Sequence, residues 1–177
     1  LPEKFHGLTD LETRYRQRYL DIIANEDTRR TMKMRFRMLR LIREYLNNNG
    51  FTEVETPIMQ VVASGAAARP FITHHNALDA DFYLRIAPEL FLKQTIAAGF
   101  DRVYELGKNF RNEGMDAMHL QEFTMLEWYA AYWDYHRNID FSWTMIQKLL
   151  MELRGTLQIE YQGTKLDFSK YEEIDYT

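Results

Sequence analysis

Cysteine is missing altogether from this sequence. That absence excludes a disulfide scaffold, a thiolate metal site and a cysteine nucleophile, and it fits a reducing, cytoplasmic setting. Long apolar runs are missing too. The longest is Trp128 to Trp133, far short of the ~20 residues that a membrane-spanning helix requires. No positively charged stretch leads into an apolar core in the manner of a secretory leader. Repeats, low-complexity tracts and an obvious interdomain linker are absent as well. The first residue is Leu1 rather than Met, so the expectation is a processed or excised piece of something longer.

What is present suffices for a packed core. The chain has 177 residues, 46% of them hydrophobic and 14% aromatic, which excludes disorder as the main description and fits one domain of ordinary size. Net charge is −4 but unevenly placed. Residues 1–50 hold 11 Lys/Arg against 7 Asp/Glu, whereas residues 51–177 hold 11 against 19. A basic amino-terminal third is either a surface for a polyanion or a solvated helix face.

Thr9 and Glu12 have capping-box spacing, and Leu11, Tyr15, Tyr19 and Ile22 follow at helical intervals. A second helix carries Met34, Met38, Leu41, Ile42 and Tyr45 on one stripe and ends at Asn47 to Gly50. Phe51 to Thr56 reads as a short strand stopped by Pro57, residues 61–70 as a loop, and Tyr83 to Ile86 as a brief strand. Pro88 and Gly99 bracket a helix. Arg102 to Phe110 and Phe123 to Tyr132 form an extended pair, because the polar loop between them is too short for a crossover. Ile139, Trp143, Ile146, Leu150 and Leu153 mark an amphipathic helix ended by Gly155. Leu157, Ile159 and Tyr161 then alternate into a Gln162-Gly163 turn and Leu166 to Phe168. The expected class is α+β, an antiparallel sheet flanked by helices.

The extended pair is the informative region. By the period of two, Phe123, Met125, Glu127 and Tyr129 share one face of their strand, Glu105, Asn109, Arg111 and Glu113 likewise share one of theirs, and the two strands present these side chains toward one space. A face buried against helices should be apolar, and this one is not. It reads either as a ligand pocket or as a solvated face with surface ion pairs. The adjacent His74 and His75 suggest a metal pair at first sight, but neighbours on a strand point oppositely, and no metal role is expected there.

Phe110-Arg111-Asn112-Glu113, followed by His119 and Glu122-Phe123-Thr124-Met125-Leu126-Glu127, resembles the second signature of the class II aminoacyl-tRNA synthetases. Phe51-Thr52-Glu53-Val54-Glu55-Thr56-Pro57 resembles their first. RYRQRYLDII at 14–23, GAAARPFITHHNALD at 65–79 and LRIAPEL at 84–90 resemble the lysyl branch. The resemblance is close from residue 1 to about 136 and looser beyond. It implies a partial class II catalytic domain over 1–177, with the first signature at about 34–57 and the second at about 104–132. The implied reaction is ATP-dependent activation of lysine to lysyl-adenylate, then transfer to tRNA, in a homodimer formed through the helix and strand around 34–57.

Residue by residue, the resemblance places Arg111 as the catalytic arginine between the amino-acid carboxylate and the α-phosphate of ATP. A fixed guanidinium there suits two anions driven together with no covalent nucleophile. Glu113 is implied to read the adenine amino group, Phe123 to stack on adenine, and His119 to lie near the outer phosphates. Gly65, Glu89, Glu127 and Tyr129 match the lysine-recognition positions, with Glu89 for the α-amino group and Glu127 and Tyr129 for the side-chain ammonium. A buried carboxylate suits that task, because a neutral isostere would leave its charge unpaired.

Some parts of the family pattern differ. Residues 137–177 contain no match to the Gly-rich third signature with its adenine-covering arginine. Mg²⁺ is expected for the family, but its acidic ligands have no counterpart in this chain, and neither does the separate anticodon-binding domain. Leu120-Gln121 stand where lysyl enzymes have Asn-Pro, and Trp128, Trp133 and Arg137 to Met145 are unusual for the family. Two other readings fit the same residues: a synthetase paralogue that lysylates a protein, and a non-catalytic fragment that dimerises or binds.

Overall fold

In the computed structural model, which describes residues 7–116 and 118–174, helices and short sheets alternate along the chain. In order the elements are α1 (Leu11–Arg16), α2 (Arg18–Ala24), α3 (Glu26–Asn48), β1 (Thr52–Glu53), β2 (Met59–Gln60), β3 (Ile72–His75), β4 (Ala80–Leu84), α4 (Glu89–Ala97), β5 (Arg102–Phe110), β6 (Glu122–Ala130), α5 (Tyr135–Arg154), β7 (Gln158–Tyr161) and β8 (Thr164–Asp167). They form two units, Leu1–Glu44 with Ile139–Thr177, and Tyr45–Asn138. Among the described residues no helix is long and apolar enough to cross a membrane.

In the first unit the amino-terminal cap is Asp10 rather than the expected Thr9, and its carboxylate accepts from the Thr13 N–H at 2.8 Å. Glu12 does not close a capping box; it pairs with Arg16 at 2.7 Å. The helical pattern from Leu11 to Ile22 is also not one helix. Gln17 leaves helical geometry (φ −118°, ψ 61°) and separates α1 from α2. The break brings Arg14 and Arg18 onto the fully buried Asp21, at 2.8 and 2.6 Å, where Asn25 also donates at 2.6 Å. Burial alone would push the Asp21 carboxyl up, but the hydrogen bonds from Asn25, Arg14 and Arg18 outweigh it and bring it down to about 2.

Arg37 on α3 pairs with Glu152 on α5 at 3.2 Å, and Trp143 stacks on Phe168 with ring centres 5.7 Å apart. Gln162 (φ 50°) and Gly163 (φ 79°) make the tight turn between β7 and β8.

In the second unit α3 ends as its sequence implies. Gly50 takes φ 77°, and Phe51 N–H reaches back to the Leu46 carbonyl at 3.1 Å. Leu46, Phe51, Leu92, Val103, Tyr104, Ile86 and Ala87 are buried and form the core beneath a three-stranded sheet ordered β1-β5-β6. β5 and β6 pair antiparallel and β1 joins β5 in parallel, so the sheet is mixed rather than antiparallel throughout. A second sheet, β2-β4-β3, is antiparallel.

Four expected boundaries shift. The strand Phe51 to Thr56 shortens to Thr52–Glu53, because Thr56 is drawn into side-chain hydrogen bonds. The strand Tyr83 to Ile86 lies instead at Ala80–Leu84, because Arg85 turns its side chain into the interior. β6 stops at Ala130, short of Tyr132, which adopts a left-handed φ of 63°. α5 starts earlier than Ile139, since Asp134 accepts from the Arg137 N–H at 2.8 Å as its cap.

Candidate functional site

The register of β5 and β6 decides which side chains meet. Glu105 lies opposite Glu127, Gly107 opposite Met125, Asn109 opposite Phe123 and Val103 opposite Tyr129. Directly opposed residues project from the same face, so the polar side chains of the two strands share one face, as the sequence pattern implies. Immediately past β5, the Arg111 N–H donates to the Gln121 carbonyl at 2.9 Å and extends the pairing to the hairpin's end.

At that end Arg111, Glu113, His119 and Phe123 line a single cleft of about 280 Å³, together with Gly114, Met118 and Leu120. The Arg111 guanidinium carbon sits 5.2 Å from the centre of the Phe123 ring. Its Nε is buried and has no hydrogen-bond partner among the described residues, so the cleft holds an unsatisfied cationic donor beside an aromatic plate. Those groups suit a flat heterocycle carrying an anionic tail. Glu113 accepts from the Arg69 N–H at 3.3 Å, and its own carbonyl accepts from Gln121 Nε2 at 3.1 Å. Both Asp116 oxygens lie near His119 Nδ1, at 2.9 and 2.8 Å.

The other four residues gather farther along, Glu127 and Tyr129 on β6, Glu89 at the start of α4 and Gly65 in the loop between β2 and β3. Tyr129 donates its hydroxyl to Glu127 at 3.2 Å. Burial pushes the Glu127 carboxyl up, the Tyr129 hydrogen bond holds it down, Glu89 and Glu105 raise it again, and Arg85 opposes them. Burial and the charges of Glu127 and Glu89 push the Tyr129 phenol up as well. Gly65 has φ +88°, and a Cβ there would lie 3.0 Å from the Glu89 Cβ and 3.2 Å from the Ala87 Cβ. The backbone at Gly65 thus lies against Glu89, and Glu89 is within electrostatic reach of Glu127 and Tyr129. Glu89 sits in the first turn of α4 and pairs with Lys93 at 2.5 Å. This half-buried collection of carboxylates is arranged for a cationic ligand.

One member of the expected polar face is not available to a ligand. Glu105 is buried and pairs with Arg85, which is 1% exposed, and it accepts from Thr56 Oγ1 at 2.7 Å and Thr56 N at 3.2 Å. Arg85 also donates to the Lys108 carbonyl at 2.9 Å and to Thr56 Oγ1 at 3.0 Å. Arg85, Thr56 and Asp116 were not singled out by sequence reasoning. The signal for Arg85 was a charge inside an otherwise apolar strand pattern.

His74 faces Asp79 and Asp81 at 3.4 and 3.3 Å, while His75 packs on Phe82, so the two imidazoles do not converge. Among the described residues no group of three or more metal-ligating side chains is assembled. The cleft offers an arginine, a histidine and one carboxylate already accepting a backbone N–H, a set that does not fit Mg²⁺.

A family model described as tRNA synthetases class II (D, K and N) matches residues 10–177. The chain is similar to proteins named Lysine--tRNA ligase from Pasteurella multocida and Histophilus somni, at 58% identity over 170 residues, and from Haemophilus influenzae at 56%. Each alignment covers 96% of this chain and 34% of the relative, so the chain spans about a third of the length of the curated relatives it matches. With a hairpin that presents a cationic, aromatic cleft at one end and Glu127 with Tyr129 farther along, and with the family match running over nearly its whole length, this chain belongs to the class II tRNA synthetases of the D, K and N group.

Proposed function

We propose that residues 1–177 are catalytic-domain sequence of a lysine–tRNA ligase, with its first class signature at about 34–57 and its second at about 104–132. The ligase activates lysine with ATP, forming lysyl-adenylate and pyrophosphate, and transfers lysine to tRNA. It works in the cytoplasm as a homodimer.

The observation that carries this reading is the placement of Phe123, beside Arg111, and of Glu127 with Tyr129 on one face of one strand. Phe123 and Glu127 are four positions apart on β6, about 13 Å along an extended strand. That separation suits a ligand with a heterocycle at one end and an ammonium at the other. The names of the relatives support lysine as the amino acid.

Phe123 stacks on adenine and Glu113 accepts from its amino group. Arg111 spans the lysine carboxylate and the α-phosphate, and His119 meets the outer phosphates. As the carboxylate oxygen attacks phosphorus and the bond to pyrophosphate breaks, negative charge on the phosphoryl oxygens faces a guanidinium already in position. Glu89 takes the α-ammonium, and Glu127 with Tyr129 takes the side-chain ammonium.

The test is lysine-dependent ATP–pyrophosphate exchange by the full-length protein and its Arg111→Ala variant. A charge-assisted contact made in the transition state predicts a loss of about 10²–10³-fold or more. Near-normal exchange by the variant would sink the assignment.

A further inference from the structure

At the cleft stands a contact that the proposed chemistry leaves unused, that of Asp116 with His119. The two Asp116 oxygens stand 2.9 and 2.8 Å from His119 Nδ1. The same carboxylate closes the local turn, since Oδ1 accepts from the N–H groups of Met118 at 2.6 Å and His119 at 2.8 Å. His119 lines the cleft, whereas Asp116 does not. An imidazole whose Nδ1 carries a proton toward a carboxylate has its Nε2 as the remaining edge.

We propose that Asp116 is a positioning residue for nucleotide phosphate: by holding Nδ1–H of His119, it leaves Nε2 to meet the phosphate, so that phosphate binding takes up a proton at His119. This rests on the reading of the cleft as an ATP site. Nε2 of a neutral ring with its proton on Nδ1 is an acceptor, and it would confront phosphate oxygens lone pair to lone pair. Only the doubly protonated ring donates to both carboxylate and phosphate. The other charged groups lining the cleft are Arg111, which favours the anion, and Glu113, which disfavours it. The Asp116 carboxyl is held below the ordinary range first by the His119 hydrogen bond and then by the Met118 N–H, so it stays ionised through the pH range that matters.

Asp116→Asn separates the two duties of this side chain. An asparagine oxygen still accepts the Met118 and His119 N–H groups and keeps the turn, but its amide cannot accept Nδ1–H with a full charge. The experiment titrates ATP, inorganic triphosphate and adenosine into the ¹⁵N-labelled full-length protein at pH 6.5 and pH 8.0. Backbone shifts read affinity, and long-range imidazole ¹H–¹⁵N spectra read the His119 tautomer. The chains compared are wild type, Asp116→Asn, Asp116→Glu, His119→Ala and the Asp116→Asn/His119→Ala double variant.

The expected result is tighter wild-type binding of ATP and triphosphate at pH 6.5 than at pH 8.0, with protonation of His119 on binding. Asp116→Asn should lose about three- to tenfold for both phosphate ligands and nothing for adenosine. It should also lose the Nδ1–H tautomer, which Asp116→Glu restores in part. Once His119 is alanine, Asp116→Asn should cost nothing more. Equal losses for adenosine, or an undiminished Asp116→Asn effect in the His119→Ala background, overturns the proposal while leaving the ATP cleft intact. ATP binding that is absent from the wild-type chain, or indifferent to Arg111→Ala and Phe123→Ala, refutes the cleft itself and the proposal with it.

Discussion

Arg85 and Glu105 pair with each other in the interior of the second unit, with side-chain exposures of 2% and 7%. The pairing engages Glu105 and leaves Glu127, opposite it on the same sheet face, as the carboxylate offered to a ligand, with Glu89 of α4, paired to Lys93, nearby. A cationic ligand matches that carboxylate, whereas an uncancelled Glu105 would add a further negative charge beside it. The pair therefore sets the charge of the site from below as well as holding β5 to Thr56.

Arg85→Met strands a buried carboxylate and should destabilise the chain by about 3–5 kcal/mol. The double change Arg85→Met/Glu105→Leu removes both charges and should recover much of that loss. Urea unfolding of the wild type, single and double variants checks this. A single variant as stable as wild type would mean that Glu105 finds another partner.

Gly65 is tied to its backbone and to its neighbour at once. Alanine at φ +88° is strained by about 1–2 kcal/mol, and its Cβ would press on the Glu89 Cβ at 3.0 Å. Gly65→Ala should weaken lysine binding while leaving ATP binding near wild type. Calorimetry with each ligand on the full-length protein separates the two, and equal losses would place Gly65 in general folding only.

Glu127→Gln should weaken lysine about ten- to 150-fold, the loss of a hydrogen bond between charged groups, with a smaller effect on ATP. Because burial raises the Glu127 carboxyl above its ordinary value, the site protonates from a higher pH than a solvated glutamate would. Lysine affinity should be full when Glu127 is ionised, and should fall with decreasing pH through that raised value. The Glu127→Gln variant should show no such decline.

Asp21 predicts an acid limit for the first unit. Its folded value of about 2 lies below the 3.8 of an ordinary aspartate, so the folded state releases this proton more readily than the unfolded state. The stabilisation is complete above about pH 4 and disappears as the pH falls toward 2. Thermal unfolding between pH 5 and pH 2 should show this slope in the wild type, and Asp21→Asn should flatten it.

The helix stripe Met34, Met38, Leu41, Ile42 and Tyr45 is partly used within the chain, since Ile42 and Tyr45 are buried. In the second unit Ile58, Met59, Val61 and Val62 beyond β1 are exposed. These apolar groups favour a self-associating surface. Sedimentation of the full-length protein should show a homodimer, and a monomer at tens of micromolar (an affinity weaker than about −6 to −7 kcal/mol) would overturn it.

Local chemistry sufficed for much of this protein. Gly50, Gly99, Gly155 and Gly163 stand at positive φ where their positions in the sequence place helix ends or a tight turn, because only a residue without Cβ enters that region freely. β5 was legible to its last residue, and the alternation of Phe123, Glu127 and Tyr129 already assigned them a common side. The motif residues Arg111, Glu113, His119 and Phe123 could be named from the sequence by resemblance.

Their meeting in one cleft was decided by strand register and by the return of the loop after Arg111, which no period of two contains. The fate of Glu105 was decided farther away still. By periodicity it is equivalent to Glu127, yet one is neutralised and the other remains open to a ligand. The difference is Arg85, 20 positions earlier, whose guanidinium can reach Glu105 only after β4 and β5 have been brought together. Spacing along a strand fixes a side chain's direction, but the charge that it presents depends on what the folded chain packs beside it.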